Sequence, residues 1–252
     1  MRATDDILRQ CLSEADGLLV TAGAGMGIDS GLPDFRGAQG FWKAYPALGR
    51  ARIDFTQIAN PLAFAQQART AWGFYGHRLQ TYRGTQPHPG FAQLLEIGEY
   101  LPRGVQVFTS NVDGQFQKAG YPVDRICEIH GSIHHLQCSA GCNNAIWPAE
   151  NFQPEIDAEH CQLISPLPTC PCCGALARPN ILMFGDWQWI EWRTATQQRE
   201  LENWLSTVQR PLCVEIGAGT HIPTVRYFSE QNAWRLIRIN PDEAQSAAKK
   251  PR

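Results

Sequence analysis

A chain of 252 residues is long enough for one large domain, or for a large domain with a small satellite. Hydrophobic residues make up 43% and charged residues 18%, an ordinary globular balance, and the formal net charge of -2 argues against nucleic acid or a membrane surface as partner. No apolar run approaches the roughly 20 residues of a membrane helix, and the acid-bearing start MRATDDILRQCLSEADG lacks the basic and apolar regions of an export signal, so a cytoplasmic protein is expected.

Taken in chain order, DDILRQCLSEA has helical spacing and is followed by the strand-like run GLLVTAG. That run enters the glycine loop VTAGAGMGIDSGLPDFRG, residues 20 to 37, where Gly23, Gly25 and Gly27 alternate around Ala24. Glycines after a strand let backbone N–H groups approach a pyrophosphate. The spacing is unusual, however: Ile28 stands where a G-x-G-x-x-G fingerprint has its last glycine, and no second strand ending in an acid follows about 20 residues on. Asp34, Phe35 and Arg36 come directly after and can form a polar, stacking wall for a ligand.

Residues 41–85 are rich in aromatic residues and helix formers. In AWGFYGHRLQTYR, Tyr75 and Arg78 are three apart and so share a helix face; a solvated Arg beside a core Tyr is the plainer alternative. The runs GVQVFTSN and ICEIHGS are next, and the segments TSNVDGQFQKAG and EIHGS put Asn111, Asp113 and His130 at the ends of two strands. Residues 136–178 read as loop. Six of the nine cysteines fall between Cys138 and Cys173. Cys138 with Cys142, and Cys170 with Cys173, form two close pairs suited to one tetrahedral zinc; free thiols are the alternative. No His or acid lies within the pairs, so the metal is expected to be structural.

NILMFG, the helical WRTATQQRELENWLSTV, LCVEIGAG and RLIRIN complete the chain. Short β-branched runs alternating with helices predict an α/β fold with a doubly wound, Rossmann-like parallel sheet, ligands lying at the carboxyl ends of the strands. The expected division is 1–40, 86–135 and 179–252 in the sheet domain. A helical insertion at 41–85 and a zinc-binding insertion at 136–178 form a smaller module.

Together, GAGMGIDSGLPDFR, TSNVDGQFQKAG, HGS, the cysteine pairs, LMFGD, GAGT and IN resemble, in order and over nearly the whole chain, the sirtuin family of NAD-dependent protein deacylases. The resemblance implies that Gly23, Ala24, Gly25, Asp34, Phe35, Arg36, Ser110, Asn111, Asp113, Gly217, Ala218, Gly219 and Asn240 bind NAD. It implies that His130 is a general base, with Asn111 also catalytic, and that Phe184 and Gly185 contact substrate. Acylated protein or peptide would be the partner, giving nicotinamide, O-acyl-ADP-ribose and free lysine. Tyr75 and Arg78 resemble the pair with which one branch of the family, the desuccinylase-like one, grips acidic acyl groups. The chain departs from the family pattern at Gly27 (for serine), Ser110 (for glutamine), Gln115 (for leucine), Phe116 (for histidine) and the Gly-Ala-Gly of 217–219. Gly27 and the Gly-Ala-Gly keep one alternative in view, a sirtuin-fold NAD hydrolase or ADP-ribosyltransferase; a second, an NAD- or peptide-binding module without activity, is opposed by the intact Asn111, Asp113 and His130.

Overall fold

The computed structural model describes residues 2–33 and 37–245. Three of the expected NAD contacts, Asp34, Phe35 and Arg36, lie outside the described residues.

The strands are β1 (Gly17–Ala22), β2 (Val105–Thr109), β3 (Ile126–Glu128), β4 (Gly131–Cys138), β5 (Ile146–Pro148), β6 (Ile156–Asp157), β7 (Gln162–Leu163), β8 (Ala177–Ile181), β9 (Pro211–Ile216) and β10 (Arg235–Ile239). Five of them make a parallel sheet in the order β10-β9-β1-β2-β3. Every residue of β1 is buried, because helices cover both faces of a parallel sheet. Leu18, Val20 and Ala22 join a cluster with Cys11 and Leu12 of helix Arg2–Glu14 and with Phe91, Leu94 and Leu95 of helix Pro89–Glu99. Leu19 faces the other way, in a cluster with Leu201 and Trp204 of helix Trp192–Thr207 and Val225 of helix Thr224–Asn232. The period of two along the strand therefore assigns alternate side chains to two helical layers. The doubly wound α/β sheet expected from the sequence is present.

The chain leaves β1 toward β2 on one side, while β9 and β10 occupy the other. The crevice between the ends of β1 and β9 is thus the topological switch point, where open α/β sheets bind ligands.

A smaller module packs helices Gly37–Ala44, Pro46–Arg50, Phe55–Ile58, Pro61–Gln66 and Ala68–Gly84 against an antiparallel sheet, β5-β4-β8, and the short pair β6-β7. Its core joins Phe41, Tyr45, Phe64, Trp72, Phe74 and Tyr75 to Leu136, Leu163 and Ala177. Helix Ala68–Gly84 comes so close to β7 that a Cβ on Gly73 would lie 2.1 Å from the Cys161 carbonyl oxygen. The Trp72 indole donates to the Ala177 carbonyl at 3.0 Å.

Two expectations need correction. The run NILMFG does not supply a parallel strand: β8 ends at Ile181 and runs antiparallel to β4, with Ala177 opposite Cys138 and Ile181 opposite Gly131. Its five residues are all buried, which gives it the same apolar signature as a central parallel strand. Residues 136–178 are also less loop-like than expected. They carry the end of β4 together with β5, β6, β7 and the start of β8, strands too short to show a period.

Candidate active site

The strand ends converge. After β1 the chain tightens into a 3-10 helix, Ala24–Ser30, closed by Gly31 in the left-handed region at φ 86. Gly23 N–H donates to the Ile216 carbonyl at 3.0 Å and Gly25 N–H to the Gly217 carbonyl at 3.1 Å. A Cβ on Gly25 would fall 2.6 Å from the Cα of Gly217, and Gly217 itself has φ 62. Glycine is required on both sides because main chain lies directly on main chain. Ala24 is exposed above this contact.

The end of β2 is hooked to the same loop. Thr109 Oγ1 donates to the Ala22 carbonyl at 3.0 Å and accepts from Asn111 N–H at 3.0 Å. Ser110 N–H donates to Ala22 at 3.1 Å. The Asn111 side-chain amide donates to the Gly23 carbonyl at 3.0 Å. Thr109 was not singled out in the sequence; its signal is a polar β-branched residue at a strand end, immediately before the candidate asparagine.

Asp113 is buried and accepts Gln115 N–H at 2.9 Å. Burial pushes its carboxyl up to about 6, with Glu128 adding to the rise, while the Gln115 N–H and the Arg78 charge oppose it. His134 Nε2 lies 2.9 Å from the Asp113 carbonyl and donates to it.

His130 follows β3 and is partly buried. Burial holds its imidazole below the usual histidine value, and a hydrogen bond to the Ser110 backbone pulls the other way. Burial thus favours the neutral imidazole. Its carbonyl accepts Leu182 N–H at 2.9 Å, tying it to the segment that continues to Phe184 and Gly185.

On the far strands, the Ala218 carbonyl accepts from Asn240 Nδ2 at 3.0 Å and from Arg226 Nε at 3.1 Å. Glu243 was not foreseen; its carboxylate clasps the loop by accepting Thr220 N–H at 3.0 Å and Oγ1–H at 2.6 Å. Gly219 leaves open space, since a Cβ there would meet only Glu243, at 3.9 Å.

Of the expected substrate residues, Tyr75 and Arg78 lie on helix Ala68–Gly84 and Phe184 and Gly185 in the segment after β8. Phe184 N–H donates to the Ala59 carbonyl at 2.9 Å and its ring meets Phe55 edge-on at 5.8 Å. Gly185 has φ 65, and the next residue, Asp186, forms a buried ion pair with Arg178 at 2.8 Å. That pair, overlooked in the sequence, braces the turn. Tyr75 is fully buried, and Arg78 lies over the Phe74, Tyr75 and Tyr82 rings at 5.2, 5.8 and 5.3 Å.

Cys138, Cys142, Cys170 and Cys173 have their sulfurs within 4.8 Å of one another. Cys138 Sγ is 3.7 Å from Cys173 Sγ, and Cys142 Sγ is 3.6 Å from Cys170 Sγ. Four thiolates about 2.3 Å from a tetrahedral zinc sit about 3.8 Å apart, so the cluster fits that ion. Among the described residues no helix is long and apolar enough to cross a membrane.

Comparison with known proteins agrees with this geometry. A profile of the Sir2 family matches residues 23–209. NAD-dependent protein deacylase 1 of Archaeoglobus fulgidus is 29% identical over 247 residues, spanning 95% of this chain and 87% of its own. An NAD-dependent protein deacylase of Pyrococcus furiosus is 31% identical over 91% of this chain and 83% of its own. The mitochondrial NAD-dependent protein deacylase sirtuin-5A of Xenopus laevis is 30% identical over 92% and 74%. The crystal structure of a Sir2 homolog–NAD complex superposes with a TM-score of 0.71 at 26% identity, covering 95% of this chain and 84% of that one. The chain belongs to the Sir2 family.

Proposed function

We propose that this protein removes acyl groups from lysine side chains of proteins with NAD as co-substrate, releasing nicotinamide, O-acyl-ADP-ribose and free lysine. The observation that carries the reading is the bond from Asn111 to the Gly23 carbonyl, which joins the segment bearing Asn111 and Asp113 to the glycine loop, with His130 hydrogen-bonded to the Ser110 backbone of that same segment. When bound, NAD would supply the glycosidic C–N bond that breaks, nicotinamide leaving as the acyl oxygen bonds to the ribose carbon.

The site roles follow from the chemistry. Gly23, Ala24, Gly25, Gly217, Ala218 and Gly219 form a side-chain-poor floor for the diphosphate, and Asn240 holds the loop through Ala218. Ser110, Asn111 and Asp113 hold the nicotinamide end, with Asp113 accepting from ribose hydroxyls. Asp34, Phe35 and Arg36 bind NAD as well in this reading. His130, whose neutral form burial favours, removes the proton from a ribose hydroxyl as general base. Phe184 and Gly185 line the path of the acyl-lysine. Cys138, Cys142, Cys170 and Cys173 hold a structural zinc.

Within the family, the desuccinylase-like branch is favoured. Tyr75 and Arg78 stand together on helix Ala68–Gly84, and an arginine fork binds carboxylate in bidentate fashion. Relatives described as sirtuin-5 are about 30% identical, which supports the same reading. The division proposed is 1–40, 86–135 and 179–252 for the sheet domain and 41–85 and 136–178 for the small domain, with boundaries that fall inside helix Gly37–Ala44, β4 and β8, elements that pack within the small module.

The deciding experiment is nicotinamide release from NAD, with and without matched succinyl-, acetyl- and unmodified lysine peptides. Release that requires an acyl peptide is expected. Equal release without peptide would replace the deacylase by an NAD hydrolase.

A further inference from the structure

Helix Ala68–Gly84 carries a third residue on the face that presents Tyr75 and Arg78. Tyr82 lies four residues beyond Arg78 and seven beyond Tyr75, the spacing of one helical stripe. Its phenol oxygen accepts two hydrogen bonds from the Arg78 guanidinium, from Nε at 2.9 Å and from Nη2 at 2.7 Å. These two donors form one edge of the planar fork, so a single oxygen fixes both the plane and the direction of the group.

Tyr82 is itself held at its other end. Its carbonyl accepts from Lys118 Nζ at 3.2 Å and from Gln115 Nε2 at 3.4 Å. Gln115, one of the departures from the family pattern, is completely buried, and its backbone N–H donates to the Asp113 carboxylate. A continuous series of contacts thus runs from Arg78 through Tyr82 and Gln115 to Asp113. Electrostatics follow the same path, with Arg78 and Asp113 pulling the Tyr82 hydroxyl in opposite directions beneath the larger effect of burial.

A long, flexible arginine side chain ordinarily loses much rotamer freedom when it orders on a ligand. Here that ordering is done beforehand. A neutral phenol orients the fork without adding a negative charge to compete with an incoming carboxylate.

We propose that Tyr82 is the positioning residue of the acyl pocket, locking the Arg78 guanidinium through Nε and Nη2 in the orientation that receives an acyl group ending in a carboxylate. The proposal rests on the acidic-acyl reading of Tyr75 and Arg78 given above. Tyr82 acts through Arg78 and is not itself catalytic.

The test compares wild type, Tyr82→Phe and Arg78→Met on succinyl and acetyl peptides of one sequence, with kcat and KM determined separately. Tyr82→Phe keeps the ring over Arg78 and removes only the oxygen. In it the succinyl-to-acetyl ratio of kcat/KM should fall roughly tenfold, as loss of a charge-assisted hydrogen bond allows. The loss should appear as a raised KM for the succinyl peptide, whereas a general loosening of the fold would lower kcat on both peptides. Zinc content and thermal midpoint establish that each variant is folded. If Arg78→Met abolishes the succinyl preference while Tyr82→Phe leaves the ratio unchanged, Tyr82 has no positioning role and the acidic-acyl reading stands. If Arg78→Met leaves the ratio unchanged, both readings fall.

Discussion

The Asn111 side-chain amide donates to the Gly23 carbonyl at 3.0 Å, across 88 positions of sequence, so the loop after β2 is pinned to the loop after β1. The residue assigned to hold nicotinamide also holds the loop assigned to the diphosphate. Asn111→Ala should therefore weaken NAD binding and catalysis together. Losing the bond is expected to cost about 0.5–1.5 kcal/mol of stability. A far larger fall in peptide-dependent nicotinamide release should accompany it. Thermal unfolding with and without NAD, alongside the release assay, measures both; unaltered release would remove Asn111 from the site.

His130→Ala should separate two steps. Expulsion of nicotinamide by an acyl oxygen needs no general base, whereas product formation does. The variant should lose deacylation by about 10²- to 10⁴-fold yet keep measurable peptide-dependent exchange of labelled nicotinamide. Burial lowers the His130 pKa, so the basic form persists to lower pH than an ordinary imidazole would allow. The acid limb of the wild-type rate profile should lie below the usual histidine value and disappear in the variant. An unshifted limb would argue against His130 as the titrating base.

The cysteine cluster should hold one zinc per chain. Because structural zinc contributes to folding free energy, Cys170→Ser or prolonged chelation should reduce metal content and thermal midpoint together. Metal analysis and calorimetry on the same samples decide it. A full complement of zinc in Cys170→Ser would mean that the four sulfurs are not the ligand set.

Stability should respond to pH through one partly buried and one buried group, with effects of opposite sign. Burial drives His135 down to about 4 from 6.5. The unfolded chain then binds more protons in that interval, and this contribution is lost as pH falls through it. Asp113 is driven up to about 6 from 3.8. Here the folded chain binds more protons, and stability is lost as pH rises through the interval. Asp113→Asn removes the second effect. Its advantage over wild type should grow from about pH 4 to about pH 6 and then level, at an order of 1–3 kcal/mol. Denaturant midpoints across that range, without NAD, provide the check; a difference independent of pH would mean that the Asp113 pKa is unperturbed by folding.

What the sequence made legible depended on range. Strand runs ending in Gly, Ser or Asn were readable because buried parallel strands are nearly all apolar and stop at polar residues. Thus β1, β2, β3, β9 and β10 were visible, as were helices Arg2–Glu14 and Trp192–Thr207. Apolar content does not encode strand direction, so β8 was assigned to the wrong sheet. The pairs β4 with β8 and β6 with β7 are set by tertiary packing that no local period reveals. Within the site, the family motifs exposed Asn111, Asp113 and His130. The groups that orient others were hidden, since their partners are distant: Thr109 on Ala22, Asp186 on Arg178 and Glu243 on Thr220. Tyr82 was the exception, readable in principle from its helical stripe.

The contact between Gly25 and Gly217 has a bearing on engineering. Both partners are main chain, and even one added methyl group on Gly25 would meet backbone at 2.6 Å. At these two positions the proposed diphosphate floor therefore offers no side chain to redesign. Libraries aimed at altered dinucleotide preference should keep positions 23, 25 and 217 constant. Diversity belongs at Ala24 and Gly219, where exposed or open positions border the loop.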